Sequence, residues 1–154
     1  MSKPSHHLLF VCTGNICRSP MAEGIARALG EQTDRSIEAR SASTMGLVDR
    51  EADPLAVEAC SEIDVDISKH RSRPVLAEDV AWADHILVMS LHHANAVRDA
   101  HPDADRKIMM LGTFAGVLDI GDPLGGSLKR FRTSRDLIHR ALTNFVSRLP
   151  KADA

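Results

Sequence analysis

Cys12 and Arg18 stand out as the side chains best suited to chemistry, in the stretch Val11-Cys12-Thr13-Gly14-Asn15-Ile16-Cys17-Arg18-Ser19-Pro20. An apolar run from His7 to Val11 precedes them, and an amphipathic stretch begins near Ser19. The order predicts a thiol at the mouth of a strand and a guanidinium at the start of a helix. A loop of this size can turn successive backbone N–H groups inward, and the helix adds its own unpaired N–H groups and the positive end of its dipole. Such a nest fits a tetrahedral dianion. Arg18, fork-shaped and always protonated, can close it with two parallel hydrogen bonds. The same positive surroundings favour the thiolate of Cys12, the nucleophilic form. The spacing therefore points to attack by sulfur on a bound phosphoryl group, with Thr13, Gly14, Asn15, Ile16 and Cys17 lining the anion site. A buried cysteine beside an N-capped helix would need no such chemistry, but it would not need the arginine and the loop either.

Expelling an alkoxide or phenoxide from a phosphate ester requires a proton donor, and a thiolate cannot be one. Asp119 and Asp122 are candidates. Asp122 is preferred because Pro123 and the pair Gly125-Gly126 follow it in a restricted loop, although Asp-Pro also serves as an ordinary turn. The same carboxylate would then draw a proton from the water that hydrolyses the cysteinyl phosphate. This chemistry requires no metal or other cofactor. A zinc site at Cys12 and Cys17 lacks a second ligand pair at suitable spacing. The adjacent His92 and His93 would point about a hundred degrees apart on a helix, and they read as surface residues.

At 154 residues the chain is expected to form one domain, 1–154, able to bury roughly two-thirds of its unfolded surface. Its 19 basic and 21 acidic residues nearly balance, which argues against nucleic acid or an anionic membrane as partner. No signal-peptide core or spanning segment is apparent. Three cysteines, two in the proposed active loop, suit a reducing compartment rather than a disulfide framework. A cytoplasmic protein is expected.

The remaining pattern supplies the scaffold. Leu8 to Val11, Ile37 to Ala42, His85 to Met89 and Lys107 to Leu111 read as strands. Helices are expected from Ser19 to a stop at Gly30, from Asp53-Pro54 to Ile63, over 77–83, from Ser90 to Ala100, and from Ser127 to Leu149. Ser19 has two readings, as an N-cap or as a hydroxyl beside Cys12. Cys60 and Trp82 read as packing residues. Alternating strands and helices predict an α/β fold, a parallel sheet covered on both faces, with ligands at the carboxyl ends of the strands.

The stretch Val-Cys-Thr-Gly-Asn-Ile-Cys-Arg-Ser-Pro-Met-Ala-Glu resembles the signature of the low-molecular-weight protein tyrosine phosphatases, in a bacterial form close to the protein-arginine phosphatase branch. The resemblance implies a three-layer sandwich around a four-stranded parallel sheet of order 2-1-3-4, monomeric or weakly dimeric, acting on a phosphorylated protein. It implies Cys12 as nucleophile, Arg18 as phosphate clamp and Asp122 as acid. Asn15, Ser19, Ser41 and His70 would form a supporting hydrogen-bond network, His70 standing in a basic stretch with Lys69, Arg71 and Arg73. The loop from Ser43 to Asp53 would wall the cleft, with Leu47 the expected contact, and Leu124 would stand where many tyrosine phosphatases carry an aromatic residue.

Two activities fit that resemblance. Ile16, apolar where the arginine phosphatases have threonine, favours phosphotyrosine. Leu124 and the run Thr133-Ser134-Arg135-Asp136-Leu137 look more like the arginine enzymes, and the chain has no tyrosine, so the wall must be aliphatic unless Phe114 reaches it. Phosphotyrosine and aryl phosphates are the expected substrates, with phosphoarginine the alternative. Arsenate reductases of this fold need two further cysteines that 90–100 does not contain. A noncatalytic phosphate-binding module would not need both Cys12 and Asp122. Cys17 could trap an oxidised Cys12 as a disulfide, or simply pack.

Overall fold

A computed structural model of the chain describes residues 5–151. Strand β1, Ser5–Cys12, divides the core. Because side chains alternate along a strand, Leu8, Phe10 and Cys12 join one apolar cluster while Leu9 and Val11 join another. The run Leu8-Leu9-Phe10-Val11 is wholly buried, as a parallel strand covered on both faces should be.

The elements that follow are α1 (Arg18–Gln32), β2 (Ser36–Ser43), α2 (Pro54–Ser61), α3 (Ala77–Trp82), β3 (His85–Val88), α4 (Leu91–Ala100), β4 (Ile108–Met110) and α5 (Leu128–Ser147). Short 3-10 turns, Pro102–Lys107 and Leu111–Ala115, flank β4. All strand pairs are parallel, in the order β2-β1-β3-β4. Helices α1, α2 and α5 bury their apolar faces in the first cluster, α3 and α4 in the second. The three-layer sandwich and its strand order are therefore as expected. The chain leaves β1 toward β2 on one side and returns to β3 on the other, which opens a crevice at the end of β1. Cys12 is level there with Ser43, and Val11 with Val88.

Several local expectations need correction. Gly30 does not stop α1. A Cβ there would lie 3.1 Å from Ile37 Cβ and 3.1 Å from the Arg35 carbonyl, so the glycine lets the helix lie close against the start of β2. The chain turns instead at Asp34, whose φ is 55°, a conformation that Asp tolerates better than most residues. Ser19 is not the N-cap; Cys17 holds that position and Ser19 lies buried inside the first turn. Asp53 does cap α2, accepting from Leu55 N at 2.9 Å ahead of Pro54, a contact worth about 1 kcal/mol. Cys60 is core, its thiol pushed up to about 12 by burial. Trp82 stacks on His7 at 4.5 Å, with the Arg40 guanidinium 4.1 Å over its ring, toward the opposite end of β1 from Cys12.

Candidate active site

Between β1 and α1 the chain separates its backbone polar groups into two sets. Four carbonyls of the loop are tethered to the surrounding protein. Thr13 O accepts from Ser43 Oγ at 2.6 Å and Met45 N at 3.1 Å, and Asn15 O from His70 Nε2 at 2.6 Å. Ile16 O accepts from Asp53 N at 2.8 Å, and Cys17 O from Met21 N at 3.3 Å. No described residue accepts from the N–H groups of residues 13–17. Outward carbonyls leave inward amides, and the first turn of α1 adds more unpaired donors. Asn15 makes the turn possible: its φ is 56° and it is fully buried.

Arg18 is 4 % exposed and unevenly partnered. Its Nη1 donates to Ile120 O at 2.9 Å, Nη2 lies 3.6 Å from Asp122 Oδ2, and buried Nε has no protein partner. One edge of the guanidinium is thus anchored. The other, Nε with Nη2, keeps the two parallel N–H groups that match a phosphate. An orphaned buried N–H carries a desolvation cost of about 1–3 kcal/mol, which a bound dianion would remove.

Cys12 lies at the floor of a cavity of about 130 Å³, itself only 2 % exposed. Its Sγ is 2.9 Å from Ser19 Oγ, and Asn15 Nδ2 donates to that same oxygen at 2.8 Å. Ser19 has one hydroxyl hydrogen, which it can give to the sulfur once Cys12 is a thiolate while Oγ accepts from Asn15. Arg73 N completes the chain by donating to Asn15 Oδ1 at 3.1 Å. The structure brings Asn15, Ser19 and Cys12 into one hydrogen-bond chain and places His70 on the Asn15 carbonyl. Ser41 departs from expectation: its hydroxyl donates to Glu23 Oε1 at 2.6 Å and reaches neither Asn15 nor Ser19. Burial holds His70 below its ordinary value, and because a carbonyl only accepts, Nε2 carries the proton toward Asn15 O.

Thr13, Gly14, Ile16, Cys17, Arg18, Met45, Leu47, Asp122 and Leu124 complete the cavity lining. Of the two acid candidates only Asp122 is there, held in a turn by Leu124 N donating to its Oδ1 at 3.0 Å. Leu47 faces the cavity, whereas Val48 is exposed. Phe114 does not reach it; its ring packs edge-on against Phe145 at 5.1 Å. The wall is aliphatic. The run from Thr133 to Leu137 has structural work: Ser134 donates to Gly121 O at 3.1 Å, and Arg135 ties Ala59 O at 2.8 Å and Glu62 at 2.6 Å to α5. It stands outside the cavity lining. Burial first, then Asp53 and Asp122, push the Cys17 thiol far above its ordinary value.

Four further contributors carry no signature in the sequence. Ser43 holds Thr13 O, as described. Ser72, buried, accepts from Arg50 N at 2.9 Å and so pins the wall loop. Asp79, also buried, receives Arg73, Arg40 at 3.2 Å and Leu76 N at 3.0 Å, which fixes the segment that reaches Asn15. His93 is the plainest reversal. Expected on the surface, it is fully buried, with Nε2 2.8 Å from Thr13 Oγ1 and Nδ1 3.0 Å from Ser90 Oγ. The hydroxyl of Ser90, N-terminal to α4, is used there rather than in capping. No motif marks His93; a polar side chain five residues past the end of a central strand is the only hint.

The likeness to known proteins extends over nearly the whole chain. The family described as Low molecular weight phosphotyrosine protein phosphatase matches residues 7–154. A protein-arginine-phosphatase of Geobacillus stearothermophilus is 32 % identical over 146 residues, 94 % of this chain and 96 % of the relative. The crystal structure of a low molecular weight protein tyrosine phosphatase from T. tengcongensis superposes with a TM-score of 0.89 at 33 % identity, covering 94 % of this chain and 99 % of that one. Vibrio vulnificus Wzb in complex with benzylphosphonate superposes with a TM-score of 0.86 at 32 % identity, covering 94 % and 99 %. With the fold, the anion nest and these likenesses in agreement, the chain belongs to the low molecular weight phosphotyrosine protein phosphatase family.

Proposed function

We propose that this protein is a phosphatase that removes phosphate from phosphotyrosine in proteins, and from aryl phosphates, through a cysteinyl-phosphate intermediate. The observation that carries this reading is a loop whose Thr13, Asn15, Ile16 and Cys17 carbonyls are tied to the surrounding protein while its N–H groups have no acceptor among the described residues, with Cys12 sulfur and the unpartnered Arg18 Nε beside it. The nest and Arg18 hold the nonbridging oxygens of the ester. Cys12 thiolate attacks phosphorus, the bond to the ester oxygen breaks, and the Asp122 carboxyl gives that oxygen its proton. Asp122, now a carboxylate, takes a proton from water; the water oxygen displaces sulfur, and inorganic phosphate leaves. Ser19 donates to sulfur as it attacks and again as it departs. General acid–base assistance of this kind contributes about 10²- to 10⁴-fold.

Ile16, Met45, Leu47 and Leu124 support an apolar aryl group above the phosphate. Ile16 offers no hydrogen bond to a guanidino group. The aliphatic wall and the arginine-phosphatase relatives keep phosphoarginine as the second reading. The three free thiols suit a reducing, cytoplasmic setting, and among the described residues no helix is long and apolar enough to cross a membrane. Turnover of phosphotyrosine and phosphoarginine peptides by the wild type and by Ile16→Thr tests the assignment. Phosphotyrosine should be preferred, and the variant should lose that preference. A wild type faster on phosphoarginine would overturn it, and an unchanged ratio in the variant would remove Ile16 from the argument.

A further inference from the structure

The strand order puts Thr13 between two neighbours. Its residue follows Cys12 directly at the end of β1, with β2 on one side and β3 on the other. From the β2 side, Ser43 Oγ and Met45 N hold its carbonyl at 2.6 and 3.1 Å. From the β3 side, His93 Nε2 holds its hydroxyl at 2.8 Å. The imidazole is itself braced, since it is fully buried and its Nδ1 meets Ser90 Oγ at 3.0 Å, immediately beyond Met89. Ser90 Oγ also meets Nδ1 of exposed His92 at 2.9 Å, and the two rings lie 4.1 Å apart.

We propose that His93 is a positioning residue of the phosphate loop: by holding the Thr13 hydroxyl it fixes the first turn after Cys12 and aims the leading amides of the nest at the bound dianion. The proposal rests on the loop being the dianion site. A peptide unit has only two soft dihedrals per residue. Pinning Thr13 at its carbonyl and at its side chain therefore leaves the peptide planes on either side of it little freedom. Those two planes carry the N–H groups of Thr13 and Gly14, the first donors of the loop after Cys12. An amide misdirected by a few tenths of an ångström would meet the anion at a poorer angle.

The ring must do this uncharged. Burial, then the Arg18 guanidinium and His92, hold it down to about 3, with Asp122 opposing weakly. A neutral imidazole has one N–H and one lone pair on its ring nitrogens. It can therefore bridge Ser90 and Thr13 without placing a second cation beside Arg18. Lysine or arginine at this position would bring that charge, and an apolar residue would leave the Thr13 hydroxyl unpaired.

Two near-isosteres separate positioning from packing. The side-chain amide of glutamine reaches about where imidazole Nε2 lies, and that of asparagine about where Nδ1 lies. His93→Gln keeps the Thr13 contact, and His93→Asn keeps the Ser90 contact. The test is the affinity of inorganic phosphate by calorimetry for both variants, in the wild-type and Thr13→Val backgrounds, beside p-nitrophenyl phosphate kinetics and thermal melting. His93→Gln should bind phosphate within about threefold of wild type. His93→Asn should bind about tenfold more weakly, the factor set by one lost hydrogen bond of roughly 1.4 kcal/mol, and the gap should vanish with Thr13→Val. Equal affinities for the two variants, or a gap that survives Thr13→Val, would overturn the proposal. Should the His93 variants not fold, Thr13→Ser and Thr13→Val carry the same comparison: serine near wild type and valine about tenfold weaker is the expected result, and equality overturns it. A wild type that binds phosphate but turns over no aryl ester would refute the phosphatase reading alone, because the His93 comparison is read from binding.

Discussion

In the phosphate loop the carbonyls of Thr13, Asn15, Ile16 and Cys17 each have a partner, and Asn15 and Ser19 are fully buried. Across the cavity, Met45 is 63 % exposed and Leu124 54 %, and the Asp122 carboxylate makes a turn contact and a loose 3.6 Å approach to Arg18. The floor is fixed by tethers drawn from β2, α2, the 64–73 segment and α4. The rim is held at fewer points: the wall loop is pinned where Arg50 N meets Ser72, and Asp122 sits in its own turn. A tightly determined floor suits the charge distribution common to all phosphate monoesters, since preorganised donors need not be reoriented during reaction. A loosely held rim suits the part that differs between substrates and must admit and release them.

That contrast sets the expected size of each perturbation. Arg18→Lys removes the fork on the floor, and kcat/KM for p-nitrophenyl phosphate should fall by about 10²- to 10³-fold, the cost of a lost transition-state donor. A fall of less than tenfold would show that a point charge suffices. Asp122→Asn, on the rim, should act by leaving group. Phenyl phosphate, whose oxygen needs a proton, should slow by roughly 10²-fold or more, and p-nitrophenyl phosphate by much less. Equal slowing of the two esters would remove Asp122 from proton transfer.

A smaller effect concerns the tether at His70. Its folded value lies below the ordinary 6.5, so the unfolded chain binds its proton first as pH falls. The stability tied to neutral His70 is complete above about pH 6.5 and is lost below it. Melting temperatures measured from pH 7.5 to 5 should therefore fall with acid. His70→Gln, which keeps a donor for Asn15 O, should flatten the slope, by no more than about 1.4 kcal/mol per pH unit. His85 and His93, held down in the same direction, contribute to the remainder, as do the lowered Glu38 and Glu62 near the acid end. An unchanged slope would mean that His70 does not titrate as described. Least of all, Leu124→Ala should raise KM for aryl esters severalfold and leave kcat nearly unchanged, as loss of uniform binding does.

What the sequence made legible follows the same division. The Cys-x5-Arg spacing and the strand–loop–helix order depend on residue types whose behaviour is local, and they were readable. So was the sheet, because wholly apolar runs such as Leu8 to Val11 have few alternatives. Apart from His70, the tethers were not. Ser43, Ser72 and His93 are common polar residues whose loop partners lie 22 to 80 residues away, Asp79 is an acid on a short helix whose burial no pattern marks, and adjacent histidines on a short helix look like solvent-facing ones until the sheet brings Thr13 alongside. Gly30 misled because glycine marks close approach as readily as a helix stop. Ser41 misled because its hydroxyl is taken by the Glu23 carboxylate, one turn further along α1 than Ser19.

The central claim is that phosphorus passes through a bond to Cys12 sulfur. It is tested most directly by mixing Asp122→Ala, in which the second step lacks its base, with ³²P-labelled p-nitrophenyl phosphate, quenching within milliseconds and mapping the label. The account predicts one label per chain, on Cys12, and none in the corresponding Cys12→Ser protein under the same quench. Label-free protein from a variant that still releases p-nitrophenol in an initial burst, or label on any other residue, would contradict it.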